Sequence, residues 1–215
     1  MEGDLMIIIY SGGLDSTVLL YEYKGNIDYA VSFNYGSKHN SREIDFAKKN
    51  CVKLGINHYV IDLPFFKYFD SSLLKSSGRE IPLEQYNEGN MSSTVVPFRN
   101  GIFLSIAVGL CDSFKQDSVL IANHSGDHFI YPDCRPEFIQ SINNAAQLGT
   151  IGKVTIIAPY ASLSKKDIAL RGKMLGVDFA DTWSCYQGGN LHCGECATCI
   201  ERKEALHDFD TTIYK

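Results

Sequence analysis

Met6-Ile7-Ile8-Ile9-Tyr10-Ser11-Gly12-Gly13-Leu14-Asp15-Ser16-Thr17-Val18-Leu19-Leu20 decides the fold of this chain. A β-branched apolar run of strand length meets Ser-Gly-Gly, and helix-compatible residues follow at once. The stretch therefore reads as buried strand, tight turn and helix. Such a turn suits phosphate, because two glycines let the backbone approach an anion while the first amides and the positive dipole end of the new helix face it. Ser11, Ser16 and Thr17 add hydroxyls, and Leu14 and Asp15 complete the loop. No lysine closes the motif, which separates it from the Gly-x-x-x-x-Gly-Lys-Ser/Thr phosphate loop.

Working outward, Asp28 to Tyr35 reads as a second apolar strand. A helix spans Ser41 to Leu54, with Ser41 as N-cap and Gly55 as stop, and His58 to Leu63 makes a third strand. Strand–helix alternation of this kind predicts an α/β fold, a doubly wound, mostly parallel five-stranded sheet with ligands at the carboxyl ends of its strands. Asn34 and Tyr35, at such an end, are candidates for a nucleotide's base and ribose; the plain alternative is that they terminate a strand. From 64 to about 94 periodicity is lost, which reads as a mobile, irregular insertion over the active face. Arg99 and Asn100 stand just ahead of an apolar helix over Ile102 to Leu110, as candidate ligand contacts. A fourth strand, Gln116 to Asn123, ends in the polar run Asn123-His-Ser-Gly-Asp-His128, followed by Tyr131 to Phe138. Within it Asp133 offers an acceptor and Arg135 a bidentate fork, suited to a guanine-like edge and a carboxylate. A helix cap with its own ion pair would use the same two residues. After a fifth strand, Val154 to Ala158, Ser164 and Asp167 form a capping box, and Lys165 sits in the first helical turn against the dipole. That position is poor for stability and good for binding phosphate.

The 215 residues can bury one sizeable core. Twenty basic against 25 acidic side chains give a net charge of -5, which argues against a broad nucleic-acid surface. No apolar segment reads as a membrane span and the start is acidic, so a cytoplasmic protein with no membrane or nucleic-acid partner is expected. Four of the seven cysteines, Cys185, Cys193, Cys196 and Cys199, crowd into one short stretch. Their spacing predicts a closed tetrahedral zinc site of structural kind; an iron–sulfur cluster would use the same ligands. The expected organisation is an α/β domain over 1–182 carrying the insertion, with a zinc-binding segment over 183–215 packed on it.

These motifs together identify a resemblance. Ser11 to Thr17 is similar to the Ser-Gly-Gly-x-Asp-Ser signature of PP-loop ATP pyrophosphatases. Phe33-Asn-Tyr-Gly36, Val96-Pro-Phe-Arg-Asn100, Ser125-Gly126, Tyr131 to Phe138, Leu163-Ser-Lys165, Thr182 to Tyr186 and the Cys-x-x-Cys-x-x-Cys tail extend it along nearly the whole chain. The chain resembles the 7-cyano-7-deazaguanine synthase family. That resemblance implies ATP-dependent conversion of 7-carboxy-7-deazaguanine and ammonia to the nitrile through adenylated acid and amide, with magnesium, in a homodimer. It further implies that Ser11 to Thr17, Asn34, Tyr35 and Lys165 hold ATP, that Asp15 and Lys165 act in the chemistry, and that Arg99, Asn100, Asp133 and Arg135 hold the deazaguanine. One departure stands out, since Phe98 occupies the place of a usual glycine and Gly101 that of a larger residue. Two alternatives follow: a variant that stops at the amide or passes the activated deazaguanine to another amine, and a non-catalytic nucleotide- or RNA-binding module.

Overall fold

Alternation of apolar side chains along short β-branched runs places one set of residues on each face of a central sheet. The computed structural model describes residues 4–83, 92–127 and 131–215. His128 and residues 84–91 of the expected insertion lie outside them. In chain order the main elements are β1 (Met6–Ile9), α1 (Leu14–Tyr23), β2 (Ile27–Asn34), α2 (Asn40–Leu54), β3 (Asn57–Asp62) and α3 (Arg99–Ser113). They continue with β4 (Ser118–Leu120), α4 (Pro136–Gly149), β5 (Thr155–Ile157), α5 (Lys165–Met174) and α6 (Ala197–Leu206).

The five strands are parallel and stand in the order β3-β2-β1-β4-β5. Ile7, Val31, Phe33 and Val119 point into one apolar cluster with Phe103, Leu104 and Ala107 of α3 and Ile139 of α4. Ile8, Ala30 and Leu120 point into the other, with Val18 and Leu19 of α1, Ala47 of α2 and Ile168 of α5. The chain moves from β1 outward to β2 and β3, then crosses back to lay β4 on the other side of β1. Such a reversal opens a crevice at the carboxyl ends of the two central strands, and the loops after β1 and β4 meet there.

Two expectations change, and a third holds on closer inspection. Ser41 is not the cap of α2; Asn40 organises that corner, its Oδ1 accepting from the amides of Tyr35 (2.9 Å) and Ser37 (3.4 Å) while its Nδ2 donates to Phe33 O. The stretch after β3 is not a loose excursion over 64–83: Phe66, Leu73, Leu74 and Ile81 are buried in the first cluster. Finally, residues 92–113 are long and apolar enough to pass as a membrane span by composition. The α3 helix itself begins only at Arg99, after a left-handed Phe98, and its apolar side chains lie in the core. Fifteen residues rise about 22 Å, short of a bilayer's hydrocarbon core.

Candidate active site

Gly12 and Gly13 turn the chain from β1 into α1, and the two glycines do different work. Gly12 has φ +86°, and a Cβ there would come within 2.2 Å of Glu43 O, so glycine is required for packing against α2. Gly12 O also accepts from Trp183 N at 3.0 Å, tying the loop to the C-terminal segment. Gly13 is the N-cap of α1 with no side-chain cap, which leaves the first-turn amides facing the crevice. Ser11 Oγ accepts from Gly13 N and contacts Ser16 Oγ, both at 3.0 Å. Thr17 is buried beneath the loop, donating to Gly13 O at 2.7 Å. Ser11, Gly13, Leu14, Asp15 and Ser16 line the cleft; Gly12 and Thr17 support it from behind.

Lys165 reaches the same cleft from the first turn of α5, where the Ser164–Asp167 capping box is formed as expected. Its Nζ lies 2.6 Å from Asp15 Oδ2 and 3.6 Å from Glu201 Oε2. Burial works against the ammonium charge, but Asp15, then Glu201 and Asp127, outweigh it and hold the lysine well above its usual range. The other Asp15 oxygen, Oδ1, is buried without a hydrogen-bond partner among the described residues.

Opposite the loop, Arg99 and Asn100 at the start of α3 line the cleft, with Tyr35, Tyr131 and Tyr186 around the guanidinium. Asn34 does not join them. Its side chain donates to Asp62 Oδ1 at 2.7 Å and lines a separate depression with Lys67 and Lys75. Asp133 is buried and accepts from Asn100 N at 2.7 Å, so the expected cap exists, on α3 rather than on the helix that follows it in sequence. Arg135 is exposed at the start of α4, outside the cleft lining.

Phe98 is 58% exposed and does not line the cleft. It adopts φ +53°, where glycine is the easier residue, and its ring lies where a side chain at Gly101 would stand: a Cβ there would meet the ring at 2.4 Å. The ring also packs edge-on against Phe138 at 5.5 Å. The two departures are one exchange of volume between neighbouring positions, away from the reacting groups. Phe98 therefore gives no support to an altered product.

The four sulfurs of Cys185, Cys193, Cys196 and Cys199 lie within 4.8 Å of one another. Cys193 Sγ and Cys199 Sγ are 3.9 Å apart, close to the edge of about 3.8 Å implied by zinc–sulfur bonds of about 2.3 Å in a tetrahedron. Backbone amides of Cys193 and Cys196 point at Sγ atoms at 3.3 Å, as suits thiolates. The cluster could hold a tetrahedral metal ion such as zinc. His192 takes no part: its Nε2 accepts from Ser184 N at 3.1 Å. The following helix, α6, carries Glu201 to Lys165, and the wholly buried Arg202 clamps Thr182, Ser184 and Phe179 O.

Sequence reasoning missed four groups in this cleft. Glu43 and His39 are one turn apart at the start of α2, a pattern common on solvated helix faces. Glu201 hides among alternating charges of the tail. Asn123 Oδ1 is buried without a donor among the described residues, its amide nitrogen being used on Cys134 O at 2.7 Å. Only the fold brings them beside the loop.

A lysine-free glycine turn at a parallel-sheet switch point, faced by a distant lysine, defines a PP-loop protein of the α/β class. The NMN synthetase of Francisella tularensis has a similar fold, with a TM-score of 0.52 and 16% identity over 87% of this chain and 68% of that one. The family model described as queuosine biosynthesis protein QueC matches residues 5–210, and the chain belongs to that family. Relatives named 7-cyano-7-deazaguanine synthase include one from Porphyromonas gingivalis, 54% identical over 96% of this chain and 94% of its own length. Another, from Desulfotalea psychrophila, is 52% identical over 97% of each.

Proposed function

We propose that the chain is an ATP-dependent 7-cyano-7-deazaguanine synthase, a C–N bond-forming ligase of queuosine or related deazapurine biosynthesis. A carboxylate is a poor electrophile, since attack would expel oxide, so the acid is first joined to AMP. The first-turn amides of α1 and the hydroxyls of Ser11 and Ser16 receive the phosphates, and Lys165 meets the charge on the departing pyrophosphate. One observation carries this reading: Lys165, 150 residues away in sequence, is held 2.6 Å from Asp15 at the mouth of the glycine turn. The unpartnered Asp15 Oδ1 fits a magnesium ligand. Such an ion, when bound, would neutralise phosphate charge. Ammonia displaces AMP to give the amide; a second ATP activates the amide oxygen, and loss of AMP leaves the nitrile.

Arg99 and Asn100 take the deazaguanine within the cleft, and Tyr35 borders it. Asn123 Oδ1 supplies an acceptor for a ring or exocyclic N–H. Asp133 acts through the Asn100 amide, while Arg135 and Asn34, which do not line the cleft, are given no contact with the deazaguanine. The four cysteines hold structural zinc, and the enzyme works as a cytoplasmic homodimer with ammonia, ATP and the acid as its substrates. The test is direct. Purified protein given 7-carboxy-7-deazaguanine, ammonium, magnesium and ATP should release AMP and yield the nitrile by mass spectrometry. Absence of acid-dependent AMP release would overturn the assignment.

A further inference from the structure

The nitrogen that arrives as ammonia carries three hydrogens, and the nitrile nitrogen carries none. Attack on the acyl adenylate forms a C–N bond and breaks the C–O bond to AMP, releasing one proton from nitrogen. Conversion of the activated amide to nitrile breaks the second C–O bond to AMP and releases the other two. A cleft that does both steps needs a base beside the reacting nitrogen, and neither Lys165, held cationic, nor Arg99 can serve.

Glu43 is the cleft carboxylate to consider for that role. It lines the cleft from the first turn of α2, and its Oε1 is 3.7 Å from the position of a Cβ on Gly13. Among the described residues none donates a hydrogen bond to its carboxylate; His39 Nε2 stands 3.6 Å from Oε2. A carboxyl group with 17% side-chain exposure, without donors and beside a loop that binds phosphate, is costly in stability and electrostatically opposed to the anion. Arg99 from α3, Tyr35 from the end of β2 and His39 are the titratable groups around it.

We propose that Glu43 is the general base that removes the protons from the incoming nitrogen in the amide-forming and nitrile-forming steps. Burial pushes its carboxyl up to about 8, with Arg99 pulling the other way, which puts its affinity for a proton in the range a base at neutral pH requires. His39 cannot replace it, because burial and the Arg99 charge push the imidazole down to about 3.

The inference rests on the synthase reading, and the experiment separates the two. Glu43→Gln is compared with the wild type in acid-dependent ATP–pyrophosphate exchange without ammonium, and in amide and nitrile formation with free ammonia held constant as pH is varied. The variant should keep exchange within about threefold, since adenylation moves no proton from nitrogen, and lose roughly 10²- to 10⁴-fold in product formation. The wild-type rate should rise with pH to a plateau above about 8, and this rise should vanish in the variant. Product formation within threefold of wild type, or exchange falling in parallel with it, would overturn the role of Glu43. Absence of exchange in the wild type would instead remove the synthase reading, and the base with it. Glu43→Asp, which keeps a carboxylate, should recover part of the lost rate and the pH-dependent rise; no recovery counts against the base.

Discussion

At the scale of single residues, the cleft is assembled from side chains whose protonation burial and neighbouring charges set between them. Lys165→Ala should cut kcat/KM for ATP by about 10²- to 10³-fold while leaving the melting temperature within a few degrees, read by AMP release and calorimetry. Glu43 makes a second prediction through linkage. Its folded value of about 8 exceeds the ordinary 4.5, so between those values the native state holds the extra proton and stability falls as pH rises. Glu43→Gln removes that cost, and the variant should resist urea better than wild type above pH 8, with the difference fading towards pH 4.5. A half-buried neutral histidine acts in the opposite window. His58 is pushed down to about 4, chiefly by burial, from 6.5. The unfolded chain therefore takes up protons first, and stability present above pH 6.5 should drain as pH falls towards 4, seen as a falling urea midpoint. Asp15 and Lys165 could be picked from sequence because the glycine turn and the capping box are local signals. Glu43 and Asn123 could not, since nothing within a few residues of either marks the cleft.

Elements show how local chemistry is exchanged between neighbours. The start of α3 combines a left-handed Phe98 with a glycine one turn on, and each explains the other. Gly101→Ala alone should cost about 1–3 kcal/mol, because the new methyl meets the Phe98 ring. Phe98→Gly should relieve that clash, so the double variant should recover at least about 1 kcal/mol in a double-mutant cycle measured by urea unfolding. The strands were legible because β-branched runs and glycine stops are short-range signals, and the capping box of α5 and Gly55 closing α2 read the same way. The cap of α2 was misplaced because Asn40 works on the preceding turn rather than on its own helix. The bond from the Asn100 amide to Asp133 could not be read locally because the two are 33 residues apart.

For the whole molecule, the reversal of strand order about β1 gathers residues from stretches spread along the chain, from Ile9 to Glu201, into one crevice. The packing of 64–83 and the reach of α6 to Lys165 were invisible in sequence for the same reason: both depend on which face of the sheet each segment crosses. The fold also makes the cysteine cluster part of the site's framework. Stripping metal with a strong chelator, or Cys193→Ser, should lower the melting temperature and abolish stoichiometric zinc, measured by calorimetry and elemental analysis. The Arg202 clamp predicts a similar loss of stability from Arg202→Met, by about 2–4 kcal/mol, with metal content kept.

The bond from Trp183 N to Gly12 O places the phosphate turn two residues from the first sulfur ligand. With zinc on the four cysteines, as proposed, micronutrient supply and oxidative stress would gain a grip on catalysis: a cell short of zinc, or one whose thiols are being oxidised by peroxide, would see this enzyme slacken through a distorted turn well before the sheet beneath it came apart.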